Sequence, residues 1–221
     1  MLEATDGDQG SYLDIAGVVE EHSPVAADDL RQLWRRIAFS VLIRNTDDHL
    51  RNHGFLRVST AGWSLSPAFD LNPDPRPGPK HLSTTIDYDT SEARIDVVLG
   101  VAEMFRLRDN EAQAVLREVT NATARWRAVA ADAGLEGDAI ERMARAFEHD
   151  QTERARDLVM SSARPSHLIP RVTPPAQAGA KGARALGTPV SACPFRWGVV
   201  SVSCGAAASR KGAPDDHAEV V

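Results

Sequence analysis

Between Asp29 and Ile43 the apolar side chains Leu30, Leu33, Trp34, Ile37, Val41 and Leu42 recur at the spacing of one helix face, while Arg31, Arg35 and Arg36 take the other. The same period returns three times later. It runs from Ser91 to Leu107 through Ile95, Val98, Leu99, Ala102 and Phe105, and from Asp109 to Ala133 through Val115, Val119, Ala122, Trp126 and Val129. The third run, Glu136 to about Met160, carries Ile140, Met143, Phe147 and Leu158. Asp109 is the expected N-cap and Gly134 the expected stop of the middle helix. Tyr12 to Glu21 forms an earlier amphipathic stretch, broken by His22, Ser23 and Pro24, with nothing before Tyr12 that reads as a cap. A chain patterned this way folds mainly as α-helix.

One interruption is not helical. Asn45, Thr46 and Asp47 bond readily to local backbone and end the Asp29 helix. Gly54 to Val58 and Trp63 to Ser66 then read as two short strands joined by Ser59-Thr60-Ala61-Gly62, a β-hairpin. Pro67 stops the second strand, and four prolines between Asn72 and Pro79 impose an extended loop. From residue 161 the period dissolves into Pro, Gly and Ala with seven prolines, so the sequence divides into a folded region, 1–160, and a tail, 161–221, expected to be disordered.

Charge restricts the partners. The chain carries a formal charge of −6, yet residues 161–221 hold seven Lys/Arg against three Asp/Glu, which leaves −10 on residues 1–160. So acidic a body opposes direct nucleic-acid binding, whose affinity comes largely from cations neutralising phosphates. No window has the roughly 18 uninterrupted apolar residues of a membrane span, and the acidic start MLEATDGDQG is unlike a secretory signal, so a cytoplasmic location is expected. Cys193 and Cys204 lie outside every patterned segment and support neither a disulfide framework nor a cysteine metal site.

The chemistry is concentrated in Asn45-Thr46-Asp47-Asp48-His49-Leu50-Arg51-Asn52 and in Pro67-Ala68-Phe69-Asp70-Leu71. An aspartate, an asparagine five positions on, a hairpin, and a second aspartate after an aromatic is the order of a phosphotransfer site. An acceptor hydroxyl needs a carboxylate to orient it and take its proton, the role for Asp47. Magnesium prefers hard oxygen ligands, which the amide of Asn52 and the carboxylate of Asp70 supply. A turn with no catalytic duty would explain an isolated Asp47-Asp48 pair, but not Asn52 and Asp70 in register with it. His49 and His53 stand four apart, but a metalloprotease helix requires glutamate at position 50, which is Leu50. His53 therefore reads as a structural hydrogen-bonding residue, the pairs Arg35/Arg36 and Arg106/Arg108 as solvated helix faces, and Trp34, Trp63 and Trp126 as packing residues.

The pattern D-x-H-x-x-N over Asp47, His49 and Asn52, with NTDDHLRNHGFL, GWSLSPAFDLNPDP, the upstream GSYLDIA and the later AFEH, resembles the HipA family of serine/threonine kinases over residues 1 to about 155. The resemblance implies a protein-kinase-like C-terminal lobe with a small hairpin, without the N-lobe that precedes it in family members. It implies ATP and magnesium as cofactors, Asp47 as catalytic aspartate, Asn52 and Asp70 as metal ligands, and His49, Leu50, Arg51 and Phe69 beside the nucleotide. It further implies the toxin of a toxin–antitoxin pair, a HipB-like antitoxin as partner, and a protein substrate such as an aminoacyl-tRNA synthetase. The phosphate-covering loop and strand lysine of the family have no counterpart here, since Lys80, Lys181 and Lys211 all follow Asp47. Activity is thus expected to be weak or absent unless a separately encoded N-lobe completes the site. Two alternatives remain open at this point: a non-catalytic remnant that binds an antitoxin or substrate, and metal-dependent hydrolysis by the Asp/His cluster.

Overall fold

In a computed structural model, which describes residues 10–162, the periodic stretches become helices arranged around one central helix. Helix α1 spans Tyr12–His22 and α2 spans Ala26–Leu42. After a loop and a 3-10 turn at Leu50–Asn52 comes the hairpin, β1 (Phe55–Ser59) and β2 (Gly62–Leu65), paired antiparallel with Phe55 opposite Leu65 and a bulge between Arg57 and Ser59. A long irregular segment leads to α3 (Ile95–Gly100), a 3-10 turn (Ala102–Phe105), α4 (Asp109–Thr123), α5 (Trp126–Asp132), α6 (Gly137–Phe147) and α7 (Asp150–Ser162).

Helix α2 is the axis. Leu33, Trp34, Ile37, Ala38, Val41 and Leu42 are fully buried, and α1, α3, α4, α7 and β2 all pack on it. Burying a side chain of this size contributes on the order of 2 kcal/mol, so this helix alone supplies a large part of the driving force. The Trp34 indole N–H, which would be costly to bury alone, donates to Val98 O at 3.0 Å. Trp126 stacks on Phe147 with centroids 4.6 Å apart, and Trp63 lies under the Arg57 guanidinium, so all three tryptophans serve packing as expected.

The three long helical runs are each broken, and the breaks have local causes. The Ser91–Leu107 run starts late because Leu82 and Ala93 take backbone bonds across the loop, to Ser91 O and Lys80 O, in place of helical ones. It then tightens into the 3-10 turn after Gly100, a poor helix former. Thr123 ends α4 by turning its hydroxyl onto Val119 O and Thr120 O. At the α6–α7 junction the Thr152 hydroxyl accepts the His149 N–H at 3.0 Å and starts a new helix.

Three expectations are corrected. Ser11 does cap α1: its hydroxyl accepts the Leu13 N–H and Asp14 accepts the Ser11 N–H, a capping box in which Asp replaces the usual Glu. Asp109 is the first residue of α4 and not its cap; Arg108 holds that position, with Glu111 accepting its N–H at 3.0 Å. Arg36 is not on a solvated face, for its guanidinium reaches inward to Ser66 O. Gly134 takes φ 83° after α5, as a stop there requires. The tail expected from residue 161 lies, beyond Ser162, outside the described residues. Among the described residues no helix is long and apolar enough to cross a membrane.

Candidate active site

The site is built on the chain leaving α2. Arg44, at φ 56°, turns it out of the helix, and Asp47 emerges exposed while the next side chain, Asp48, is only 1% exposed. The His49 N–H donates to Asp47 O and the Asn52 N–H to His49 O, which coils the loop into its 3-10 turn. Buried Asn52 then closes the loop by donating its side-chain Nδ2–H to Asp47 O at 3.1 Å. That bond uses the amide nitrogen as donor, so a cation at this turn would meet the amide oxygen.

The hairpin brings the second aspartate back. Asp29 of α2 accepts the Leu65 N–H at 2.9 Å, Arg36 donates to Ser66 O, and the Ser66 N–H donates to Gly54 O at 2.8 Å, so the end of β2 is bolted both to α2 and to the chain just past Asn52. At the hairpin tip a Cβ on Gly62 would lie 2.3 Å from His22 O, so this close approach to α1 admits only glycine. Phe69, 47% exposed, lays its ring edge beside Gly54, 3.6 Å from where a Cβ there would sit. Asp70 follows at φ 55°, a left-handed conformation costing a non-glycine residue about 1–2 kcal/mol. Such strain persists where the surroundings enforce it, commonly at functional sites. Asn72 Nδ2 donates to its carboxylate at 2.6 Å.

Asp47 and Asn52 are thus tied directly, and Asp70 follows the hairpin, next in sequence to Phe69, whose ring lies beside Gly54. His49 is half-buried, and its Nδ1 is a buried atom with no hydrogen-bond partner among the described residues. Leu50 packs on the core and Arg51 is exposed. Among the described residues no group of three or more His, Cys, Asp and Glu is placed to hold a metal. Magnesium takes neutral amide and anionic carboxylate oxygens, and Asn52 and Asp70 are residues of those two types.

Two groupings were invisible to sequence reasoning. Asp48 is the centre of one: Tyr12 Oη donates to its Oδ2 at 2.5 Å, Ser40 Oγ donates to the same oxygen at 3.1 Å, and His53 Nε2 lies 3.1 Å from Oδ1. Burial would raise the Asp48 carboxyl, but contact with His53 and the two hydroxyls outweighs it and holds the group below its ordinary value. His53 sits here as a buried ion-pair neighbour of Asp48, and the hydrogen bond expected of it is not made among the described residues. Asp74 centres the other, accepting from Arg76 Nε and backbone N–H, at 2.8 and 2.9 Å, and from Lys80 Nζ at 2.6 Å. Its backbone N–H donates to Ile43 O, which pins the proline loop to the end of α2, and the Arg76 guanidinium also feels the charge of Asp47. An Asp between prolines carries no sequence signal for this role.

The profile of the HipA-like C-terminal domain matches residues 1–127, more than half of the chain and all of the site. The chain belongs to this family. Its mainly helical fold with a two-stranded hairpin is that of a kinase-like C-terminal lobe. No curated protein gives a significant match. A separate cavity of about 580 Å³ opens between Arg44, Lys80, Arg94 and His149–Gln151. Its cations are already engaged, Arg44 with Asp150, Lys80 with Asp74 and Arg94 with Glu92, so it receives no role in the chemistry.

Proposed function

We propose that this HipA-family chain carries the phosphotransfer residues of a protein serine/threonine kinase that uses ATP and magnesium. Asp47 orients the acceptor hydroxyl and takes its proton, Asn52 and Asp70 hold the magnesium, and His49, Leu50, Arg51 and Phe69 border the nucleotide. The observation that supports this reading is the Asn52 Nδ2 bond to Asp47 O, which closes one turn around the two residues to which the reading gives the metal and the acceptor hydroxyl. The orphaned His49 Nδ1 beside that turn adds to it, because a buried nitrogen without a partner is costly unless a ligand meets it. Magnesium, when bound, would neutralise charge on the transferring phosphoryl group. By family membership the protein would act in the cytoplasm as the toxin of a toxin–antitoxin pair, held by a HipB-like antitoxin, on a protein such as an aminoacyl-tRNA synthetase.

Lys80 is the one lysine among the described residues, and Asp74 engages it, so the described residues offer no unengaged lysine for the phosphate grip that a lysine supplies in kinases. This favours weak activity in isolation and keeps a second reading in play, a non-catalytic module that binds an antitoxin or substrate. Single-turnover ATP consumption by the purified chain with magnesium tests the first reading. Asp47→Ala should lower the rate by about 10²–10⁴-fold while leaving nucleotide affinity in place. A rate indifferent to this substitution rejects the assignment of Asp47, and nucleotide binding without any turnover selects the second reading.

A further inference from the structure

We propose that Tyr12, Asp48 and His53 form a buried positioning cluster that sets the geometry of the Asp47–Asn52 turn. The inference deepens the kinase reading above and rests on it only for what the turn is used for. Asp48 and His53 are each the immediate neighbours of a site residue, Asp47 and Asn52, and they meet at 3.1 Å beneath the turn. Their contact therefore fixes the spacing of both ends of the turn from below, as the Asn52 amide fixes it from within. Tyr12 locks the pair from α1. Its hydroxyl donates to Asp48 at 2.5 Å, and its ring meets the His53 imidazole edge to face at 5.5 Å and 86°. Ser40 of α2 donates a second bond to the same carboxylate oxygen.

The residues around Tyr12 complete the clasp. Gly10 sits so close to Leu50 that an added Cβ would lie 2.6 Å from its Cδ1. Gly10 O accepts the Thr85 N–H, the Tyr12 N–H donates to Thr85 O, and Ser83 donates backbone and side-chain bonds to Thr46 O. The Gly10-Ser11-Tyr12 segment thereby presses on the turn from two sides. A buried carboxylate is a poor device for stability alone, since apolar residues of similar size commonly do as well or better. What it provides is direction: three groups, Tyr12, Ser40 and His53, converge on the one Asp48 carboxylate and restrict the arrangement of the turn.

The test uses the full chain and two readouts, amide hydrogen exchange of His49 and Asn52, whose N–H groups bond within the turn, and affinity for a manganese complex of a non-hydrolysable ATP analogue. A hydrogen bond to a charged group is worth enough to shift a local equilibrium by about tenfold. Tyr12→Phe keeps the ring and should speed exchange in the turn, and weaken the manganese–nucleotide complex, by that factor. Val115→Ala, in the core face of α4, serves as the control: at a matched loss of melting temperature it should change neither readout. If the two variants give the same exchange pattern, the cluster only stabilises the fold and the proposal is overturned. If the turn loosens selectively but the wild type binds no metal–nucleotide complex, the positioning cluster stands and the kinase reading falls. Ser40→Ala, which removes the weaker bond, replaces Tyr12→Phe should that variant not fold, with the same two outcomes.

Discussion

Asp74 shows how a single carboxylate can tie a loop that propline-rich sequence would otherwise leave unanchored. Burial acts to raise its carboxyl, yet bonds from Arg76 and Lys80 hold it far below the usual carboxylate range. A folded-state value depressed below the unfolded one, near 3.9, means its contribution to stability is complete above that pH and decays as pH falls toward the folded value. Asp74→Asn should therefore melt at lower temperature than the wild type by a constant margin above about pH 5, and that margin should shrink steadily below about pH 4. Melting curves of both proteins from pH 7 to pH 2 measure it; an undiminished margin at pH 2 would show that the pairing is not what Asp74 contributes. At this scale the sequence was legible for residues whose spacing carries meaning. Asp47 and Asn52 stand five positions apart in an order that the chemistry suggests, and the structure closes Asn52 onto Asp47. Ser40 and Tyr12 were not legible, because they meet Asp48 across 8 and 36 positions that no local pattern encodes, and Asp74 meets Arg76 and Lys80 within a proline loop that has no period to mark them.

Among elements, helices were legible and their breaks were not. Periodicity records which face is buried, and it found the buried faces of α2 and α3 but put the exposed Ala122 and Val129 on a buried face and passed over Ala155 and Val159 of α7; a hydroxyl that caps or a glycine that tightens a turn leaves the period intact while ending the helix. His149 illustrates the consequence. Standing between α6 and α7, it places its ring against the last turn of α2, with Nε2 3.2 Å from Leu42 O. A carbonyl only accepts, so Nε2 carries the proton of the neutral ring. Burial lowers the His149 pKa below its ordinary value. Below about pH 6.5 the unfolded chain therefore takes up a proton that folded His149 refuses, and stability declines as pH falls until the depressed folded value is reached. His149→Gln, which can still donate to Leu42 O, should be less stable at pH 7 and should lose less than the wild type between pH 7 and pH 5. Chemical denaturation at the two pH values gives the difference of differences. A wild type that loses no more than the variant would show His149 to be protonated in the fold.

For the whole molecule the question is where the folding unit ends. The family profile stops at residue 127, yet the core does not. Helix α7 buries Ala155 and Val159 against α2 and α4, Gln151 accepts the Ile95 N–H at the start of α3, and Arg154 pairs with Asp96 on the same helix. His149 adds its bond to Leu42 O, three residues before the site loop begins at Asn45. Removing everything after residue 127 would strip α7 from α2, leave the α3 amide without its acceptor and expose the apolar faces that support the turn carrying Asp47. A net stability of about 5–15 kcal/mol cannot absorb several such losses together. A chain ended after residue 127 should therefore lack a cooperative melt and bind no metal–nucleotide complex. One ended after Ser162 keeps every buried core residue among the described ones, Tyr12 to Val159, and should melt within a few degrees of the full chain. Circular dichroism melts of the two truncations decide the matter. Cooperative folding of the shorter one would mean that α2 and α4 close the core without α7, and that the site depends on fewer elements than its contacts imply.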